Sequence, residues 1–87
     1  MRLLTNAGTG TGPEYPANNL GPREATLVVW GTPTNVDLEI SPDAGATWFS
    51  IQNVTAAGTY TVPVGGKQNY EIRGNVTTGS GVYMDLI

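Results

Sequence analysis

The chain of 87 residues has neither cysteine nor histidine. Without cysteine no disulfide staples the core, and a Cys₄ or Cys₂His₂ zinc site is excluded. Without histidine the chain lacks the side chain that titrates near neutrality and most often binds metals. No Ser-His-Asp or Cys-His catalytic arrangement can be built. Basic residues are nearly as scarce: Arg2, Arg23, Lys67 and Arg73 stand against seven acids, giving a net charge of −3. A nucleic-acid binder needs a basic stripe to replace counterions, and an anionic membrane surface makes the same demand. Neither partner is expected. No apolar run is long enough to span a bilayer. The opening Met1-Arg2-Leu3-Leu4-Thr5 turns polar and glycine-rich before a signal-peptide core can develop. A chain made in a cytoplasm, remaining there or leaving as part of something larger, is the expectation.

What is present favours strands. Only 13% of residues are charged, while Thr, Gly, Asn and Val are abundant, a mix suited to strands and turns. A chain of this size buries a modest core. Small domains without staples often gain stability from a partner subunit, so an oligomer is expected.

Residues 1–22 differ from the rest. Thr5 to Pro22 holds Gly8, Gly10, Gly12 and Gly21, with three prolines and three asparagines. This reads as an extended N-terminal arm with a possible short leading strand at Arg2–Thr5. Extended, its ~18 irregular residues reach on the order of 60 Å, enough to cross a neighbouring subunit. Leu3, Tyr15 and Leu20, with Arg2, Pro13 and Pro16, are its candidate contact residues.

Residues 23–87 read as the folded domain, with a period of two. Val36, Leu38 and Ile40 alternate with Asp37, Glu39 and Ser41, marking a strand with one dry and one wet face. Tyr60–Val64, with Pro63 marking an edge, Tyr70–Arg73 and Val82–Ile87 behave similarly. The final Leu86-Ile87 pair implies a C-terminus tied into a sheet. Turn signals at Gly31-Thr32-Pro33, Ser41-Pro42-Asp43, Ala57-Gly58, Gly65-Gly66 and Thr78–Gly81 separate six or seven short strands. The expected fold class is all-β: a small antiparallel β-sandwich, jelly-roll-like or alternatively immunoglobulin-like. Ile51–Gly58 and Ile72–Gly79 resemble each other and read as two hairpin ends.

The strand Ala25–Trp30 breaks the alternation. With Leu27 and Val29 facing the core, Val28 and Trp30 face outwards, beneath either the arm or a partner. Val28, Trp30, Tyr83 and Ile87 complete the candidate interface. Most other aromatics are expected inside a small core. Asp37 and Glu39 share a strand face but read as an ordinary wet surface, not an acid/base pair. No cofactor or metal is implied, since Asp43 alone does not make a calcium cage.

The sharpest motif is Ser41-Pro42-Asp43-Ala44-Gly45-Ala46-Thr47-Trp48. Its S-x-D-x-G-x-T-W spacing resembles the Asp-box, a hairpin signature of sialidases and other β-proteins. Asp43 can accept turn N–H groups, Gly45 can supply a positive φ, Thr47 can return a hydroxyl and Trp48 can pack beneath. In sialidases these boxes are structural turns away from the active site, so Ser41, Asp43, Gly45, Thr47 and Trp48 are read as a structural hairpin.

Taken in order, the Gly/Thr-rich opening at Ala7–Gly12, the Val-Trp-Gly strand end and the Val-x-Leu-x-Ile strand precede this box. A Val-Pro-Val-Gly-Gly hairpin and a Tyr-x-Ile-Arg-Gly strand follow it. The order is similar to that of small tailed-phage virion proteins, the head decoration or cement proteins and related tail or neck components. The resemblance implies a non-enzymatic virion protein that binds the major capsid protein, or another virion protein, on the assembled head, commonly as a homotrimer. Its rival from another class is a carbohydrate-binding module using exposed aromatics. Two or more coplanar aromatics on one face would mark the module; an apolar patch with an ordered arm would mark the cement protein.

Overall fold

A computed structural model describes residues 1–17, 24–62 and 70–87. Leu20 and the Pro63–Val64 end of the expected Tyr60–Val64 strand lie outside the described residues. Among the described residues the structure is built of antiparallel strands: β1 (Arg2–Ala7), β2 (Gly10–Thr11), β3 (Tyr15–Pro16), β4 (Ala25–Ser41), β5 (Phe49–Val54), β6 (Gly58–Val62) and β7 (Glu71–Leu86).

Two of these strands are too long for the molecule. A straight strand of 17 residues such as β4 would span about 56 Å, yet the longest dimension is 31 Å. Both β4 and β7 therefore bend in the middle, and their register shifts between Trp30 and Val36. Glycines mark the bend: Gly31 has φ +93°, Gly81 has φ +57°, and a Cβ on Gly31 would land on the carbonyl oxygen of Gly81. The two backbones pass too closely there for any side chain.

Each bent strand contributes to two layers. In one layer the order is β1, residues 82–86 of β7, residues 25–29 of β4, then β6. In the other it is β2 and β3, residues 71–76 of β7, residues 36–41 of β4, then β5. Numbered as eight segments along the chain, the layers run 1-8-3-6 and 2-7-4-5. This is an antiparallel ribbon, pairing 1 with 8, 2 with 7, 3 with 6 and 4 with 5, wound into a sandwich. The chain is thus a small antiparallel β-sandwich of jelly-roll-like strand order, with two interlocked Greek keys. The N-terminal arm is extended, and its residues 2–16 lie along β7 of the same chain.

The core between the layers is aliphatic. Leu3, Leu27, Val29, Val36, Leu38, Val54, Val62, Ile72, Val76, Val82, Met84 and Leu86 are each at most 1% exposed. Most aromatics are not where the sequence led us to expect them. Trp30 and Tyr83 face outwards as the alternation places them, but Phe49 and Tyr70 are also exposed, and Tyr15, Trp48 and Tyr60 are only half-buried. The physical reason is the thinness of the sandwich, whose shortest dimension is 17 Å. Stacked sheets sit about 10 Å apart, a gap that branched aliphatics fill from both sides.

Two expected turns are also bends. Gly31-Thr32-Pro33 and Thr78–Gly81 do not reverse the chain; they carry β4 and β7 from one layer to the other. Ile51–Gly58 leads through a turn, whereas Ile72–Gly79 lies within β7.

Candidate partner-binding face

Period two places Thr26, Val28 and Trp30 of β4 on the outer side of the first layer, with Tyr83 and Asp85 of β7 beside them. Trp30 is opposite Tyr83, Val28 is opposite Asp85, and Thr59 and Thr61 of β6 continue the rows from Val28 and Thr26. Arg2 of β1 closes the other side, opposite Asp85.

Arg2, Trp30, Tyr83 and Asp85 form one cluster on this face. The rings of Trp30 and Tyr83 stack with centroids 5.1 Å apart and planes within 4°. The Arg2 guanidinium lies 5.1 Å from the Trp30 centroid and 5.5 Å from that of Tyr83, within cation–π range. It also donates from both Nε and a terminal nitrogen to the Asp85 carboxylate. Asp85 was not among the residues singled out from the sequence. Its alternation with Tyr83 was visible, but its pairing with Arg2 across 83 residues of chain was not.

The candidate interface residues separate into groups. Arg2, Val28, Trp30 and Tyr83 come together on this face. Leu3 does not: it is 1% exposed and belongs to the core. A register shift between Arg2 and Leu4 turns Leu3 and Leu4 inwards in succession. Pro13 and Tyr15 line, with residues 2–5 and 7–12 of the arm, a groove of about 490 Å³. Pro16 is exposed at the β3 edge, opposite Glu71. Ile87 is 70% exposed, although its backbone exchanges both hydrogen bonds with Thr26.

The outer side of the second layer is polar. The Arg73 Nε donates to Glu39 at 2.8 Å, and the Asn75 amide donates to the other Glu39 oxygen at 3.1 Å. Asp37 accepts from Ser50 at 2.8 Å and from Asn53 at 3.0 Å. With these groups satisfied by each other, the face offers little to an incoming ligand. Among the described residues no three Asp or Glu side chains converge as a metal site. No helix there is long and apolar enough to cross a membrane.

The hairpin Ser41–Trp48 joins β4 to β5. The fully buried Ser41 hydroxyl donates to Asp43 Oδ1 and accepts from the Gly45 N–H, each at 2.8 Å. Asp43 Oδ1 accepts from the Thr47 N–H at 2.7 Å, and the Trp48 indole donates to the Gly45 carbonyl at 3.0 Å. Ala44 and Gly45 both take positive φ, +61° and +95°. The Arg73 guanidinium lies 4.0 Å over the Trp48 ring, pinning the hairpin to β7. Hydrogen bonds from the Thr47 hydroxyl, then from the Thr47 backbone and the Ser41 hydroxyl, hold the Asp43 carboxyl below the ordinary aspartate range. Nearby, Glu71 is raised, first by its hydrogen bond with Glu14 on the arm and then by burial and repulsion. These five box residues bond to one another, as a structural turn requires.

No family model, no curated protein and no solved structure matches this chain.

Proposed function

We propose that this protein is a non-enzymatic virion component that binds the assembled head of a tailed phage as a decoration protein. The observation that carries the reading is the exposed outer face of the first layer, where Arg2, Val28, Trp30 and Tyr83 form a mixed aromatic and aliphatic patch. Trp, Tyr and Arg are the residues that most often dominate protein–protein contacts. The jelly-roll order adds only an analogy. It occurs in viral capsid and lectin domains alike, and fold does not decide function.

The side-chain arrangement favours a protein partner over a sugar. Rings lying side by side as a platform would have centroids further apart than 5.1 Å. Trp30 and Tyr83 instead cover each other, and Arg2 caps the pair. On a capsid, many weakly held copies would reinforce one another through avidity. Binding to the shell and not to free subunits would stabilise the shell by mass action.

The test is co-sedimentation of the purified protein with heads assembled in its absence. It should pellet with assembled heads and not with free capsid subunits. Trp30→Ala should weaken binding by about 2 kcal/mol, roughly thirtyfold, if Trp30 is a central contact. Co-sedimentation with isolated tails and not heads would make it a tail or neck component. Binding to neither would overturn the proposal.

A further inference from the structure

Among the described residues the two layers of the sandwich are open along two sides, and these are guarded unequally. Edge strands usually carry charges, prolines, bulges or breaks that prevent them from pairing with another chain. The arm edge has all four. Arg2, Pro13, Glu14 and Pro16 lie on it, its register slips twice against β7, and it is broken into three short strands. The β5–β6 edge is different. No charged side chain occurs from Ala44 to Gly66, a stretch containing both strands. β5 has a register shift between Leu38 and Glu39 of its partner. β6 has none: five consecutive pairs run from Ala25–Val62 to Val29–Gly58 without interruption.

The backbone of β6 shows what that edge offers. Thr26 exchanges both hydrogen bonds with Ile87, at 2.7 and 2.9 Å, so its N–H and C=O face β7. Successive residues of a strand point these groups to opposite sides. Ala25, Leu27 and Val29 therefore face β6, and their partners Val62, Tyr60 and Gly58 bond back to β4. Thr59 and Thr61 then present their N–H and C=O groups at the free edge. Among the described residues nothing pairs with them.

We infer that a second copy of this chain pairs with β6 about a two-fold axis through Tyr60. The arrangement is self-complementary. An antiparallel partner centred on Tyr60 sets Thr59 opposite Thr61 of the other copy, and Thr61 opposite Thr59. Directly opposed residues of this kind exchange both N–H···O=C bonds. All four free groups on each copy are then satisfied, and no like charges meet. The two first layers become one continuous sheet, with both Trp30–Tyr83 patches on its outer side. A ring of three would need the β6 edge to pair with a different edge. Among the described residues the other edges are the guarded arm and β5, whose ladder is broken by a register shift, so the strand geometry selects a dimer over the trimer that the phage resemblance implies. The inference does not rest on the proposed virion role.

The test uses the full chain. Light scattering across a concentration series should show a mass approaching twice the 9.1 kDa of one chain. Thr61→Pro removes an outward N–H without touching the ladder to β4. It should weaken dimerisation at least tenfold with an unchanged circular dichroism spectrum. Register is read independently by cysteine pairing in a chain that has no cysteine of its own. Opposed residues of this type have Cα atoms about 5.5 Å apart, within disulfide reach. A mixture of Thr59→Cys and Thr61→Cys proteins should cross-link on oxidation, and each alone should not. A monomer at every concentration, a mass three times that of the chain, or cross-linking as strong in the single-variant samples would overturn the inference.

Discussion

At the scale of single residues, the hairpin at Ser41–Trp48 makes the sharpest statements. Ser41 is wholly buried, and its hydroxyl bonds both Asp43 and the Gly45 N–H. Ser41→Ala leaves that N–H without its partner, and we expect a loss of about 1–2 kcal/mol in urea unfolding. Two carboxyls of the same region should then give the stability curve opposite slopes in acid. Asp43 is lowered by the Thr47 and Ser41 bonds. Its contribution is complete above the ordinary aspartate value of 3.8 and is lost as pH falls through the lowered one. Glu71 is raised by its hydrogen bond with Glu14. Its contribution is complete below the ordinary glutamate value of 4.5 and is lost as pH rises through the raised one. Asp43→Asn should flatten the acid limb of the urea midpoint against pH, and Glu71→Gln the decline at somewhat higher pH. If both substitutions shift the curve without changing its shape, these bonds are not coupled to folding.

At the scale of elements, the bends in β4 and β7 set the architecture. Gly31 holds φ +93° with the Gly81 carbonyl where its Cβ would be. Gly31→Ala should cost at least about 3 kcal/mol, since backbone strain and steric overlap add. Gly8 has open space around it, so Gly8→Ala should stay within about 0.5 kcal/mol of the parent. Equal effects in urea melts would remove the bend from the argument. These elements also mark the limit of what the sequence made legible. The Asp43 and Gly45 roles in the Asp-box hairpin were readable, because its bonds join residues at most four apart. The inward set Val36, Leu38 and Ile40 was readable too. The positive φ at Ala44 and the Arg73 contact with Trp48 were not. The Gly31–Pro33 and Thr78–Gly81 bends were recognisable as punctuation and misread as reversals. A turn signal reports local backbone freedom, and the same freedom serves a hairpin or a strand changing layers. The arm was the least legible. Its leading strand at Arg2–Thr5 was readable and lies within β1, but its neighbours are up to 85 residues away, and the bulge that buries Leu3 beside Leu4 breaks the period. The patch was half legible: Val28, Trp30 and Tyr83 through alternation, Asp85 only through the fold.

At the scale of the whole molecule, the jelly-roll order pairs the ends of the chain with each other. Met1 exchanges two backbone bonds with Leu86, each at 2.8 Å, and Thr26 exchanges two with Ile87. Contacts so distant in sequence carry a large closure cost before they are rewarded, and folds dominated by them take milliseconds to seconds. The ribbon has a natural order of assembly. The β4–β5 pairing is closed by the short Asp-box hairpin, whereas β1 meets β7 across 83 residues of chain, so we expect β1 to dock last. A substitution in the early pair should therefore slow folding, and one in the late pair should speed unfolding. Leu38 and Leu3 make the comparison fair, being of one residue type and 0% and 1% exposed. Truncation of either to alanine should cost about 2–5 kcal/mol, a large share of the roughly 5–15 kcal/mol typical of a domain. In stopped-flow urea experiments, Leu38→Ala should lower the folding limb. Leu3→Ala should leave that limb in place and raise the unfolding limb. If Leu3→Ala slows folding as much as Leu38→Ala does, the arm is part of the nucleus, and the ribbon winds from its ends and not from its hairpin.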